Sequence, residues 1–576
     1  MHTTLPNFDS FKPETPSIDA VGAEYATINA AFDAARDAAA RVAAIKRWDA
    51  LRIKLGTWQS VVHARFTQDT RNEDYKAAKD QESELSPKFL GPETEFKKML
   101  LKSPHRAELE AEFGAQAFRM WENDVITFDP KIEADLVAES KLVSKYTSLK
   151  SAAQIPFRGE SYNLSRLAAF AMDADRATRQ AASEAQWGWF ASNAAELDAI
   201  FDELVTLRHA MSQKLGFKNY VEMAYRMRQR NDYDQAAVAK FRAQVRDDIV
   251  PLALALKQTQ AKDLGIDKVM SWDEKVWDLK VSPRPKGDHD WMVARAQTMF
   301  DEIGNGMGEF FALLRERGLL DLKARDGKAG GGYCTSITEW GLPFIFANFN
   351  GTSGDVSVFT HEMGHAYQNY CSRQQRLSDY FWPSYDAAEV HSMSLEYLTW
   401  PWMDAFFGKD DADRFRRQDL QGKLAFLPYG VAVDHFQHLV YSEPDATAQR
   451  RREMWQEMER TYLPWRNYGG MSHASQGGMW QAQSHIYGTP FYYIDYVLAE
   501  TCAMQFWVRA DNDRATAMKD YIALCSRGGE APFQSLVRGA GLVSPFDAGC
   551  LTDVVDQAKR WLGGMPWDPC QHTEHA

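Results

Sequence analysis

The chain has 576 residues, enough for several domain-sized units or one large two-part fold. With 45% hydrophobic and 25% charged residues it has an ordinary globular composition, and it lacks an apolar run long enough to span a bilayer, which excludes a helical membrane protein. Sixty-six Lys and Arg against 79 Asp and Glu give a net charge of −13, a poor balance for bulk nucleic-acid binding, which runs on phosphate neutralisation.

Neither a nucleic-acid nor a membrane partner is therefore expected. The polar start, Met1 to Pro16, has no basic segment followed by an apolar stretch, so the expected location is cytoplasmic. Six cysteines (Cys334, Cys371, Cys502, Cys525, Cys550 and Cys570) are scattered without a CxxC pair. That pattern fits reduced thiols rather than a disulfide framework or a cysteine-rich zinc site.

Most of the chain reads as helix. Ala20 to Leu55 carries apolar residues at helical spacing and predicts one long helix or a broken pair. Asn72 to Leu85 is polar but compatible with helix, and Pro87 is expected to end it. Pro92 to Leu101 and Arg106 to Glu122 have clearer helical patterns. After a break at Asp129-Pro130, a short helix is expected from Asn163. A long one follows from Ala177 to Leu215, stopped by Gly216. Lys218 to Arg230 and Gln235 to Leu264 continue the pattern, and Ser282 to Gly287 is turn-rich. A division into an N-terminal helical region, 1–150, and a helical catalytic region, 151–576, is expected.

One stretch differs. Gly330 to Thr338 and Phe344 to Phe349 are short β-branched and aromatic runs bounded by Gly and Pro, and predict two strands of a small sheet. The second run is a candidate edge strand for a substrate backbone, with Ala347 and Asn348 as candidate contacts.

His361-Glu362-Met363-Gly364-His365 follows, an HExxH sequence on a predicted helix from Asp355 to Tyr370, with Thr352 or Ser353 as N-cap. Histidines four apart lie on one helix face, so both imidazoles can reach one metal ion. Glu362 can reach the same place, hold a water and accept its proton. Zinc suits the task because it polarises a carbonyl without redox chemistry.

A catalytic zinc needs a third protein ligand. Two common spacings fail: Gln368 and Cys371 stand where one needs Gly and His, and Ser384 and Tyr385 where another needs Glu. A carboxylate on the next predicted helix, Tyr385 to Trp400, remains. Glu389 and Glu396 are seven apart and share a face, so spacing leaves both open. Glu389 also stands three residues after Asp386, where a capping-box Glu would stand.

The stretch Gly351 to Gln368 and the run Ala388-Glu389-Val390-His391-Ser392-Met393-Ser394-Leu395-Glu396 resemble the thimet oligopeptidase / oligoendopeptidase F family of zinc metallopeptidases. Asn163 to Leu215, Asp434 to His438 and Gly528 to Asp547 extend the resemblance. Over the first 150 residues it rests on helical character alone. The resemblance implies a mostly α fold: a large two-lobed helical zincin-type metallopeptidase with a small β-sheet beside the HExxH helix and a deep substrate channel. It implies one zinc per chain on His361, His365 and Glu389, with Glu362 as general base and Glu396 supporting a ligand from behind.

The family also has a His followed by a Tyr-rich helix facing the metal. His485, Tyr493 and Tyr496 match it, with Tyr492 a further candidate. Their hydrogen bonds would stabilise the oxyanion of the reaction; the plainer reading is a Tyr-rich groove or core. His435 and His438 form a rival pair three apart, with packing or substrate contact the expected role. The function implied is hydrolysis of internal bonds in short unstructured peptides. Two alternatives stand beside it. A carboxypeptidase or dipeptidyl-type exopeptidase would need a charged anchor for a peptide terminus, and none is evident. A non-catalytic peptide-binding scaffold sits poorly with an intact Glu362 and Glu389. Nothing in the sequence fixes an oligomeric state.

Overall fold

Helix dominates the computed structural model, which describes residues 7–280 and 282–563. The chain forms two compact units. One comprises Met1–Phe128, Pro283–Phe415 and Cys502–Leu542; the other Asp129–Ser282, Arg416–Thr501 and Val543–Ala576.

In the first unit the Ala-rich start is a broken pair, Ile18–Ala34 and Ala38–Gln68. The break is built by caps: the Ser17 and Asp37 side chains accept from the amides of Ala20 and Ala40. Pro87 does not end the next helix. Glu73–Leu101 runs through both Pro87 and Pro92. Each proline removes a backbone bond and crowds the preceding turn, but Leu85, Phe89, Phe96 and Leu100 are buried along the same helix in the core, and that burial outweighs the local loss. The expected helix from Arg106 to Glu122 is instead two, Arg106–Phe113 and Ala115–Thr127, split at Gly114 with φ 93°.

This core places the site. Trp48, Phe96 and Trp121 pack with Leu377 and Tyr380 in the segment just after the HExxH helix. The Tyr380 hydroxyl accepts from Ala117 N at 2.9 Å and donates to Phe113 O at 2.8 Å. Arg52 donates to both carboxylate oxygens of the half-buried Asp379, at 2.9 and 2.5 Å. The helices expected as a separate region of residues 1–150 thus share a core with residues 377–380, and Glu133–Ser151 groups with the second unit.

The small sheet has three strands. Leu342–Phe349 lies in the centre, parallel to Leu320–Lys323 and antiparallel to Tyr333–Ile337, with Tyr333 opposite Phe346 and Ile337 opposite Leu342. Its first six residues are all buried, as in a strand covered on both faces. The expected edge is therefore wrong: both sides of Phe344 to Phe349 are occupied, and Tyr333–Ile337 is the edge on the glycine-rich side. The third strand, Leu-Asp-Leu-Lys, is too short and too polar to stand out in sequence.

In the second unit Asp175 caps Arg176–Ser192. The long apolar stretch breaks at Asn193 before Ala194–Lys214, and Gly216 follows with φ 87°. Gln235 to Leu264 is one continuous helical path with a wide turn at Val245–Ile249. A hairpin not foreseen in the sequence pairs Ile155–Phe157 with Glu160–Tyr162. No described helix is long and apolar enough to cross a membrane.

Candidate active site

His361, Glu362 and His365 lie on the helix Ser353–Ser372, and Glu389 and Glu396 on Tyr385–Leu398. Thr352 occupies the N-cap position of the first helix but caps nothing with its side chain. Asp355 in the first turn fixes the loop ahead of the helix, its carboxylate accepting from Asn350 N at 2.9 Å and Gly351 N at 2.7 Å. At the second helix Ser384 is the N-cap and Glu389 makes no capping box. Its carboxylate turns toward the histidines and accepts from Ser392 Oγ at 3.1 Å.

The two helices cross at Gly364. A Cβ there would lie 2.6 Å from both His391 O and Ser392 Cα, closer than side-chain carbons approach, so only glycine permits this crossing. The result is a convergence of three ligand atoms within 4.8 Å of one another, from His361, His365 and Glu389. Glu389 Oε2 is 3.4 Å from His361 Nε2 and 3.5 Å from His365 Nε2. Glu396 is behind: its Oε1 is 2.8 Å from His361 Nδ1, where a carboxylate orients a metal-ligating imidazole. Among the described residues no other group of three converges in this way.

The electrostatics call for a cation. Burial disfavours charge on Glu389, yet His365 and His361 override it and hold the carboxyl well below its usual range. Burial likewise opposes a charged His361, but Glu389 and Glu396 pull its pKa well above normal. Two carboxylates thus draw positive charge to this point. Two imidazoles and a carboxylate are the donor set of a catalytic zinc, so the residues fit that ion.

Glu362 sits beside the cluster without joining it. Burial raises its pKa, with His361 and His365 partly offsetting, and its buried Oε2 meets no donor among the described residues. The glycine-rich segment packs against it: a Cβ on Gly332 would lie 3.0 Å from Val358 and 3.5 Å from Glu362 Oε1. That segment is held from the sheet. Asn348 Nδ2 donates to Ala329 O and Gly331 O at 2.9 and 2.8 Å, and Lys328 Nζ donates to Ala347 O at 2.6 Å. Asn348 and Ala347 therefore tie down the loop beside Glu362. Sequence reading missed Gly364, Gly332 and Lys328; a glycine inside a helical pattern is the one signal that pointed to a close crossing.

The other predicted group lies in the second unit. His485 is on the short helix Ser484–Gly488, and Tyr493 opens Tyr493–Arg527. The rings gather: His485 is 5.8 Å from Tyr492, 5.1 Å from Tyr493 and 5.8 Å from Tyr496. All four are half-buried. Burial pushes the Tyr493 pKa up, keeping it a protonated donor. Remote arginines shape the intervening turn. Arg208, Arg228 and Arg230 donate to the carbonyls of Tyr487, Pro490 and Phe491 at 2.5, 3.0 and 2.5 Å, and Arg230 also pairs with buried Asp495 at 2.7 Å. Phe491 sits at φ 64°, a left-handed conformation its bulk disfavours, and its amide donates to Gln437.

His435 and His438 are occupied by packing. His435 Nδ1 is 3.0 Å from the Tyr462 hydroxyl, and His438 lies between Tyr225 and Arg242, both at 3.0 Å.

The model of peptidase family M3 matches residues 169–554, and that of the peptidase M3 N-terminal domain matches residues 8–128. Among solved structures the chain is similar to a candidate oligoendopeptidase F, 46% identical over 97% of this chain and 99% of that one, with a TM-score of 0.91. It is similar to PZ peptidase A with an inhibitor, at 44% identity over 96% and 99% and a TM-score of 0.91. A candidate oligoendopeptidase F from Bacillus anthracis str. Ames matches at 41% identity over 97% and 98%, with a TM-score of 0.87. No curated protein matches the chain.

Proposed function

The chain belongs to peptidase family M3, and from that premise we propose that this peptidase is a zinc-dependent oligoendopeptidase cutting internal bonds of short, unstructured peptides. The observation that carries the reading is the convergence of His361, His365 and Glu389 with Glu362 buried alongside. One zinc per chain on those three ligands would polarise the scissile carbonyl and acidify water. Glu362, its pKa raised by burial, is suited to take a proton from the attacking water and hand it to the leaving amine. His485, Tyr493 and Tyr496, with Tyr492 next to them, would be the neutral N–H and O–H donors that an oxyanion needs. The edge strand Tyr333–Ile337 offers a backbone to which an extended peptide could add, a mode that reads main chain more than side chain. The same reading sets the enzyme in the cytoplasm, with peptides as partners and neither nucleic acid nor membrane.

The test joins metal analysis to a ladder of peptides of one sequence and increasing length, with products identified by mass spectrometry. One zinc per chain, loss of activity on chelation, and internal cuts in peptides of about 5 to 20 residues are expected. Active protein without a transition metal would overturn the zinc assignment. Release of terminal residues or dipeptides alone would make it an exopeptidase, and rapid digestion of intact casein would rule out selection by size.

A further inference from the structure

A hydrogen-bond chain leads from Tyr429 through Gln483 to His485. The Tyr429 hydroxyl donates to Gln483 Oε1 at 2.8 Å, and Gln483 Nε2 lies 2.7 Å from His485 Nδ1. An amide nitrogen only donates. Once Gln483 spends its oxygen on Tyr429, its nitrogen faces His485, whose Nδ1 must then accept. A neutral imidazole accepting at Nδ1 carries its proton on Nε2. Burial pushes the Tyr429 pKa up, which keeps the phenol a donor at the head of the chain.

The surrounding backbone does not need Gln483. The Tyr146 hydroxyl donates to Gln481 O at 3.0 Å, and Lys150 Nζ donates to Ala482 O and Ser484 Oγ, both at 2.9 Å. Gln481 is further fixed by Asp198 and His473, at 2.8 and 2.9 Å. With residues 481–484 anchored from the helix Glu133–Ser151, the side chain of Gln483 is left to act on His485.

We propose that Gln483, oriented by Tyr429, is a positioning residue that holds His485 as its Nε2–H tautomer. This rests on the reading of His485 as an oxyanion donor: a neutral imidazole can donate from Nε2 only if the proton is there. The arrangement does for this histidine what a carboxylate does elsewhere for the opposite tautomer.

The test uses the full-length enzyme with selectively 15N-labelled histidine, His485→Ala identifying the resonances. Wild type should show a proton-free, pyridine-type Nδ1 and a protonated Nε2. Gln483→Glu replaces the donor by a group that only accepts, so Nδ1 should become protonated. At a pH where the 15N shifts show His485 neutral in both proteins, kcat of Gln483→Glu should fall about 10²-fold with KM little changed. Gln483→Met, which imposes neither tautomer, and Tyr429→Phe should lose only about two- to tenfold. A protonated Nδ1 in wild type would overturn the relay. So would an unchanged kcat in Gln483→Glu while His485→Ala is impaired. Full activity in His485→Ala would instead sink the donor reading on which the relay rests.

Discussion

The cluster of His361, His365 and Glu389 and the His485 cluster are assembled by different means. At the first, two helices supply every group: His361 and His365 are one turn apart, and Glu389 and Glu396 are two turns apart on the partner helix. Helical repeat alone puts each pair on one face. At the second, no repeat links His485 to Tyr493. The chain between them passes through a left-handed Phe491, and three arginines far away in sequence hold its carbonyls. A local pattern makes the first, and buried charges distant in the chain make the second. The two should therefore fail differently when mutated.

The largest effect is expected where chemistry is removed without touching either scaffold. Glu362→Gln should lose roughly 10²- to 10⁴-fold in kcat, because the amide keeps the shape but cannot take a proton. Zinc content, read by atomic absorption, should remain one per chain. If the metal is lost as well, Glu362 belongs to the ligand cluster rather than beside it.

The His485 cluster should break through its arginines. Arg230 is fully buried against Asp495, and Arg230→Met would leave that carboxylate with only Arg228, 3.9 Å away. Removing one partner of a buried pair costs about 3–5 kcal/mol, measurable by urea unfolding. kcat should fall in the folded fraction, with its zinc content unchanged. If neither stability nor kcat moves, the turn is set locally and the contrast between the clusters collapses.

The same contrast explains what the sequence made legible. The HExxH pair could be read because its geometry is a helix repeat, and the mostly helical fold because apolar spacing repeats over many turns. Glu389 and Glu396 could not be ranked from spacing, since both lie on one face. What separates them is the approach of the other helix, which puts one before the Nε2 atoms and the other behind His361. Pro87 misled because tertiary burial outweighed a local rule. The strand Leu320–Lys323 carries no sequence pattern, and without it the central strand reads as an edge. Gln483 was invisible because its role depends on which atom faces which neighbour.

Glu396 gives a smaller, sharper test of the first cluster. Its Oε1 lies 2.8 Å from His361 Nδ1, on the far side of the ring from Nε2. Glu396→Gln should weaken zinc affinity by about 10- to 100-fold, measured by competition with a chelator, while Glu389→Ala should lose far more. If Glu396→Gln proves the worse of the two, the ligand and its support have been exchanged.

Gly364 is the point at which the local cluster depends on something distant. The spacing of His361 and His365 is intrinsic to their helix, but their distance to Glu389 is set by how closely a second helix can approach. At Gly364 that approach leaves no room for a methyl group: the added Cβ would stand 2.6 Å from a carbonyl oxygen and from a Cα of the facing helix. Both are backbone atoms, so no rotamer change relieves the clash and the helices must separate. Gly364→Ala raises helix propensity by about 1 kcal/mol, which taken alone would stabilise the fold. Overpacking should reverse that sign and give a net loss of about 1–3 kcal/mol. Because the separation moves Glu389 away from both imidazoles, zinc affinity should fall together with stability, whereas a purely structural glycine would change stability alone. Urea unfolding of the metal-free protein and chelator competition on the folded protein measure the two separately. An unchanged affinity in a destabilised Gly364→Ala protein would mean that the ligand geometry does not depend on the crossing.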